Sequence, residues 1–221
     1  MIFFWAALYP LAYAIAGFLE KVLHLPQWIL SGVIAAYAAL LILWIVKTGR
    51  AHTVWLGKPN RLKFRELLQL LPLLILPAYH LLTAQACALS LSAVVLMLSV
   101  CVTEEVFFRG YLLRYFLKFG RISGILLSSV VFALCHSINL LHQPNMAYII
   151  AQIVCAFILG ICYGAVTVQY ETILPALFAH FLTNITGLSG TILESGQAAL
   201  AFWICIASYF CYGYWLCNKL R

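Results

Sequence analysis

Long runs of apolar residues separated by short polar segments account for most of the chain. Each run is close to the ~20 residues that a helix needs to cross a bilayer. Because a backbone in lipid must satisfy its own hydrogen bonds, such runs predict helices. We expect eight spans, at about Ile2–Leu19, Trp28–Val46, Leu67–Thr83, Ala86 onward, Ile122–Leu140, Ala147–Val168, Thr172–Leu193 and Ala198–Cys217. The expected fold is an all-α membrane bundle in one domain, residues 1–221.

The composition agrees with this expectation. The chain is 65% hydrophobic and 9% charged, with a mean hydropathy of +1.03, whereas soluble domains carry roughly 25% charged residues. The net charge of +7 could suit nucleic acid, but no soluble basic face exists to bind it, so nucleic acid is not an expected partner. The eight cysteines form no C-x-x-C pair and fit packing positions better than disulfides or metal ligands.

The lysines and arginines predict the orientation in the membrane. Residues 47–65 hold six of them, residues 109–121 hold four and the C-terminal tail holds two, out of thirteen. These regions share one face in an eight-span topology, and only Lys21 lies on the other face. By the positive-inside rule, both termini are expected in the cytoplasm of a multi-pass protein of a bacterial plasma membrane. No basic segment precedes the first run, so Met1–Leu19 is not predicted to be a cleaved signal peptide.

The stretch from Thr103 to Gly110 carries unusual polarity at the end of an apolar run. All six acidic residues of the chain are glutamates, and two of them, Glu104 and Glu105, are adjacent here. A charge in the bilayer costs at least ~2.5–3.5 kcal/mol, so such residues point to function. Arg109 is four residues after Glu105, which favours an ion pair between them. Glu104 is then the candidate general base or acid.

Two histidines can meet this glutamate pair. A helical hairpin that turns near Gly120 would bring His136 level with Glu104. His180 and Asn184 are four residues apart and share one helix face, although His180 is expected at a shallower depth. His80 has no partner that the sequence identifies and is interpreted as a packing residue.

These residues suit the hydrolysis of a peptide bond, which needs an activated water and a donor for the developing oxyanion. Glu104 can take the proton from water, and His136 can orient that water or share the proton. His180 and Asn184 can donate hydrogen bonds to the carbonyl oxygen. Zinc could use two histidines and a glutamate, but the chain lacks H-E-x-x-H. It also lacks G-x-S-x-G and paired membrane aspartates, so serine and aspartyl hydrolysis have no evident motif.

Three segments together resemble the CPBP family of CAAX proteases and bacteriocin-processing enzymes, also called the Abi family. Residues 104–110 resemble its E-E-x-x-x-R motif, residues 132–136 its F-x-x-x-H motif and residues 180–184 its H-x-x-x-N motif. The family core is expected over 86–193. The resemblance implies a glutamic intramembrane endopeptidase without metal or cofactor. In it, Glu104 activates water with help from His136, His180 and Asn184 form the oxyanion site, and Arg109 holds Glu105.

The expected partners are the lipid bilayer and a membrane-associated peptide or protein substrate. Two other functions stay open. The same residues could serve a non-catalytic scaffold, immunity or regulatory protein of this family, or a proton-coupled transporter. The lack of clear inverted halves argues against the transporter. The substrate and the oligomeric state are not predicted by the sequence.

Overall fold

A computed structural model describes residues 17, 22–24, 26–57, 63–83, 89–141, 145–188 and 196–221. All regular elements within these ranges are helical, which confirms the all-α class. The predicted first span, Ile2–Leu19, lies almost wholly outside the described residues.

Nine α-helices follow one another in the described residues, and several are joined by tighter or wider turns. They are α1 (Gln27–Lys47), α2 (Phe64–Leu70), α3 (Ile75–Thr83), α4 (Leu91–Glu105), α5 (Leu113–Phe116), α6 (Arg121–Cys135), α7 (Met146–Tyr170), α8 (Leu174–Gly187) and α9 (Gly196–Lys219). A 3-10 turn, Leu71–Leu74, joins α2 to α3, and a π-helix, Val106–Leu112, joins α4 to α5. The described part therefore contains seven continuous helices.

Six of these continuous helices are long and apolar enough to cross a membrane. They are Trp28–Lys47, Phe64–Thr83, Leu91–Phe119, Arg121–Leu140, Met146–Tyr170 and Gly196–Lys219. They coincide with six of the eight predicted spans, and the protein is a multi-pass membrane protein. The predicted span Thr172–Leu193 corresponds to α8, which has only 14 residues and is not among the six. The predicted number of eight is therefore not shown.

Helix α8 is surrounded by α3, α4 and α7, while α7 also packs against α6 and α9. Close approach of α6 and α7 depends on small residues. A Cβ atom at Gly160 would lie 3.0 Å from the Cβ of Ser129, and one at Gly164 would lie 3.3 Å from Ile125. These two glycines, four residues apart, therefore form a close-packing face of α7. Packing of this kind replaces the hydrophobic effect as the cohesive term between helices in lipid.

Three basic segments meet at one end of the bundle. Arg114 donates a hydrogen bond to the carbonyl oxygen of His52 at 2.8 Å, which ties α5 to the 3-10 turn Ala51–Val54. The backbone N–H of Ile173 donates to the carbonyl of Trp55, so α8 also begins there. Lys219 donates to the side-chain oxygen of Gln69 at 2.8 Å. The described parts of the connector, the 109–121 region and the tail therefore lie at the same end, as predicted.

Candidate active site

The π-helix Val106–Leu112 begins directly after the glutamate pair. Its wider turn sends the N–H of Leu113 to the carbonyl of Phe108, five residues earlier. The hydroxyl of Ser128 on α6 donates to the same carbonyl at 2.9 Å. Single π turns inside α-helices are frequent at functional sites, because they reset which side chains share a face. Here the π-helix begins between the two motif glutamates and the motif arginine, Arg109.

Glu105 is fully buried and contacts two side chains through one oxygen, Arg109 as an ion pair and His180 through a hydrogen bond. Its Oε1 atom lies 3.1 Å from Nη1 of Arg109 and 2.8 Å from Nδ1 of His180. The ion pair predicted between Glu105 and Arg109 is therefore present. Since an ionised carboxylate only accepts hydrogen bonds, Nδ1 of His180 is the donor in this contact. The second contact was not predicted, and it ties α8 to α4.

Arg109 is 1% exposed and lies among aromatic rings. Its guanidinium carbon is 4.1 Å from the ring centre of Phe132 and 5.5 Å from that of Tyr163. Tyr163 in turn stacks on His180, with ring centres 5.6 Å apart. Counting Arg109 with the orienting charges of 109–121 was therefore wrong, because its charge is enclosed by protein. Cation–π contacts of this kind gain strength when the cation is desolvated.

Glu104 has a different environment from its neighbour. Its side chain is 17% exposed and lines a cavity of about 330 Å³ between the helices. His136 and Asn184 line the same cavity. Oε2 of Glu104 lies 3.6 Å from Nε2 of His180. The expected depth mismatch of His180 is absent, since this ring lies next to both glutamates. The structure thus brings all four candidate catalytic residues to one place.

His136 follows the last residue of α6, and its tautomer can be assigned from one contact. Nδ1 lies 2.9 Å from the backbone carbonyl of Phe132, one helical turn earlier. Because a carbonyl only accepts, Nδ1 carries the proton and Nε2 remains able to accept one. The ring also packs edge-on against Phe132, with centres 4.8 Å apart. His136 is thereby oriented with a proton acceptor available.

The side-chain amide of Asn184 has two weak neighbours. Nδ2 lies 3.4 Å from Sγ of Cys101 and 3.3 Å from Nε2 of His180. The nitrogen–nitrogen distance is at the long end for a hydrogen bond, and sulfur is a poor acceptor. The amide can therefore exchange these contacts for a better acceptor in the cavity.

Comparison with known protein families identifies a match over the region that carries this site. Residues 86–186 match the family described as "Type II CAAX prenyl endopeptidase Rce1-like", and all three motifs lie within the match. This region is an Rce1-like CAAX protease domain. The resemblance predicted from the motifs is confirmed. The match covers somewhat less than half of the chain. No curated protein and no solved structure matches the chain significantly.

The cavity contains polar residues that the sequence interpretation missed. Nδ2 of Asn139 donates to Oε1 of Gln152 at 2.9 Å, and both side chains line the cavity. His80, interpreted from sequence as a packing residue, lines it as well. Each of these contacts joins different elements, so no local spacing could have indicated them. The remaining lining is mostly apolar, with Leu76, Met97, Val100, Phe108, Ile138, Ala151, Leu188 and Phe202.

A metal could in principle share the donor atoms of such a site. Across the described ranges, however, no group of three or more His, Cys, Asp or Glu side chains has an arrangement that could hold an ion. Glu105 and one nitrogen of His180 are already engaged with each other. The donor set fits hydrogen bonding better than coordination of zinc, which takes four ligands in most protein sites.

Proposed function

We propose that the protein is an intramembrane endopeptidase that hydrolyses a peptide bond with water activated by Glu104. The observation that carries the proposal is the shared cavity of Glu104, His136 and Asn184, with the buried pair of Glu105 and Arg109 behind it. The family match supports a proteolytic activity. The substrate class suggested by the family description is a prenylated CAAX peptide at the C-terminus of a protein.

Glu104 is the general base of this proposal. Its carboxylate removes a proton from a water in the cavity, and the water oxygen attacks the carbonyl carbon of the scissile bond. Nε2 of His136 accepts a hydrogen bond from the same water and fixes its direction. When the carbon–nitrogen bond breaks, the proton on Glu104 passes to the leaving nitrogen. Atoms and charge then balance, and the carboxylate is restored.

An oxyanion site that uses Nε2 of His180 requires a proton on that nitrogen as well as on Nδ1, which already contacts Glu105. Two carboxylates face one permanent cation, Arg109, so one further positive charge makes the buried group neutral. An uncompensated charge in a poorly solvated interior costs several kcal/mol. With both nitrogens protonated, Nε2 of His180 becomes a donor, 3.3 Å from the amide nitrogen of Asn184.

Two donors this close repel each other unless they share an acceptor. An oxyanion at the cavity wall would be that acceptor, and it would be stabilised by Nε2 of His180 and Nδ2 of Asn184 together. Donors that are fixed before the reaction cost no reorganisation when the charge develops. Glu105 and Arg109 then act as positioning residues, because they hold His180 through Nδ1.

The test compares the wild type with Glu104→Gln, which keeps the volume of the side chain and removes its charge. Purified proteins would be given a farnesylated CAAX peptide with a fluorophore and a quencher on either side of the bond after the cysteine. We expect cleavage to fall at least about 10³-fold in the variant, because the base is lost. Glu171→Gln, at an exposed turn after α7, is the matched control and should retain full activity.

Protein termini in membranes from cells with wild type or Glu104→Gln extend the test to natural substrates. A terminus present only with the wild type would identify the substrate. If both proteins gave the same termini and the same host phenotype, the scaffold function would replace the enzyme. Uptake of a solute into vesicles that an uncoupler abolishes would instead favour the transporter.

A further inference from the structure

His80 is a second histidine of the catalytic cavity, and the proposed mechanism does not use it. It lies on α3, is 2% exposed and lines the cavity together with Glu104 and Asn184. Its ring packs against α8, where Nδ1 lies 3.2 Å from the hydroxyl of Thr186. A Cβ atom at Gly187 would lie only 3.3 Å from Cε1 of His80, so the glycine allows this close approach.

The contacts with α8 assign the tautomer of His80. The hydroxyl of Thr186 donates to the carbonyl of Leu182 at 2.7 Å, so it accepts from the histidine ring. Nδ1 is thus the donor in the contact with Thr186, and Nε2 has no hydrogen-bond partner among the described residues. Nδ1 therefore carries the proton, and Nε2 is an acceptor.

A buried acceptor without a partner is rare in folded proteins and points to a missing donor. The surroundings indicate the chemistry of that donor. The cavity that His80 lines also includes the apolar side chains of Leu76 and Phe202, which give no donor. A peptide bound between helices brings backbone N–H groups, and each of them must be paired when it is removed from water.

We propose that Nε2 of His80 accepts a hydrogen bond from a backbone N–H of the substrate peptide and so fixes its position along the cavity. The proposal rests on the proposed function, because it assumes that the cavity binds a peptide. His80 is then a substrate-binding residue on α3, outside the three motifs, which lie on α4, the π-helix, α6 and α8. It adds binding energy in the ground state and in the transition state alike, so it acts mainly on KM.

Two variants of His80 separate substrate binding from structural support. In His80→Asn the amide takes the place of Nδ1, keeps the contact with Thr186 and removes the acceptor at Nε2. In His80→Gln the amide oxygen reaches the place of Nε2 and the contact with Thr186 is lost. With the farnesylated CAAX peptide, we expect KM to rise about 5- to 50-fold in His80→Asn and less than about 3-fold in His80→Gln, with kcat changed little in both.

A purely structural role would reverse the order of the two variants. His80→Asn would then resemble the wild type, while His80→Gln would lose thermal stability in detergent, and this result would overturn the proposal. Equal KM values for both variants and the wild type would overturn it too, while the dependence of cleavage on Glu104 would leave the proposed function intact.

Binding gives a readout that does not need catalysis. With the inactive Glu104→Gln variant as background, fluorescence anisotropy of the farnesylated peptide measures its dissociation constant. We expect His80→Asn to raise this constant about 5- to 50-fold and His80→Gln to raise it less than about 3-fold. Equal constants for the three proteins would overturn the proposal. If the wild type cleaved no peptide, the proposed function would fail, and the binding constants alone would decide whether His80 contacts the peptide.

Discussion

Two adjacent residues of the same type have opposite environments in this protein. Glu105 is fully buried and contacts Arg109 and His180, whereas Glu104 keeps part of its surface in the cavity. Successive residues of a helix point about 100° apart, so one glutamate can face the packed interior while its neighbour faces an opening. Pairs of carboxyl groups with unlike surroundings are a common basis for dividing roles at an active site. The difference in burial therefore supports the proposed roles, in which Glu105 holds His180 and Glu104 is the general base.

Removing the charge of Arg109 should destabilise the fold through Glu105. Arg109→Met keeps much of the side-chain volume but leaves a fully buried carboxylate with His180 as its remaining partner. We expect a loss of about 3–5 kcal/mol in the free energy of unfolding, as for other buried pairs that lose one member. Thermal unfolding in detergent would show it as a lower midpoint.

Arg121→Met, which removes an exposed cation at the start of α6, is the matched control and should change stability by less than about 0.5 kcal/mol. Adding Glu105→Gln to Arg109→Met removes the unpaired carboxylate and should recover part of the stability without restoring cleavage. Additive losses in the double variant would contradict the coupling of the two charges.

At the scale of elements, the π-helix and the 3-10 turn Ala51–Val54 fit against each other at a glycine. A Cβ atom at Gly110 would lie 2.9 Å from Cβ and 3.1 Å from the carbonyl oxygen of Val54, which is itself fully buried. The turn belongs to the segment that follows α1 and is also tied to α8 through Trp55. Gly110, the residue after the motif arginine, therefore lets the segment after α1 cover the end of the π-helix that holds Arg109.

A methyl group at this position should disturb both elements. For Gly110→Ala we expect about 1–3 kcal/mol of destabilisation, because backbone atoms rather than a flexible side chain must move. Gly32→Ala is the control, since Gly32 lies within α1 with no atom within 4 Å of the added Cβ. That change should be neutral or stabilise the helix by up to about 1 kcal/mol. Equal unfolding midpoints for the two variants would show that the close approach is not tight.

The elements also show why part of the site could be predicted and part could not. The pair of Glu105 and Arg109 depends only on spacing within one helix, and the meeting of Glu104 with His136 follows from one hairpin. The contact of His180 with Glu105 joins α8 to α4, and that of His80 with Thr186 joins α3 to α8. Such contacts depend on how the helices pack, which the sequence pattern does not encode.

The same limit explains the differences in the elements themselves. Residues 106–112 are apolar except for Arg109, so hydrophobic periodicity cannot distinguish a π-helix from a continued α-helix there. Helix α8 ends at Gly187, whereas the apolar run that defined its span continues to Leu193. An apolar run gives the presence of a membrane helix more reliably than its end. Thus the class of fold and the motif positions could be predicted, but not the helix ends or the contacts between helices that hold His180 and His80.

For the whole molecule, the two ends of the bundle differ in charge. The basic end contains the turn after α1, the start of α6 and the end of α9. At this end, Arg and Lys side chains also make cation–π contacts with aromatic rings. Arg114 lies 5.1 Å from the ring centre of Trp55, and Lys219 lies 4.0 Å from that of Trp215. Aromatic and basic residues together are typical of helix ends at the membrane interface. The opposite end, with Asn145 before α7, has no Lys or Arg among the residues that the structure describes there.

This asymmetry predicts which side of the membrane each end faces. Because Lys and Arg in short loops are retained in the cytoplasm, a reporter inserted after Gly57 or fused after Arg221 should report the cytoplasm. A reporter at Asn145 should report the other side, since α7 runs 25 residues from Asn145 to the basic end. Fusions of alkaline phosphatase and of green fluorescent protein at each site would give complementary signals. A cytoplasmic signal at Asn145 would refute this orientation.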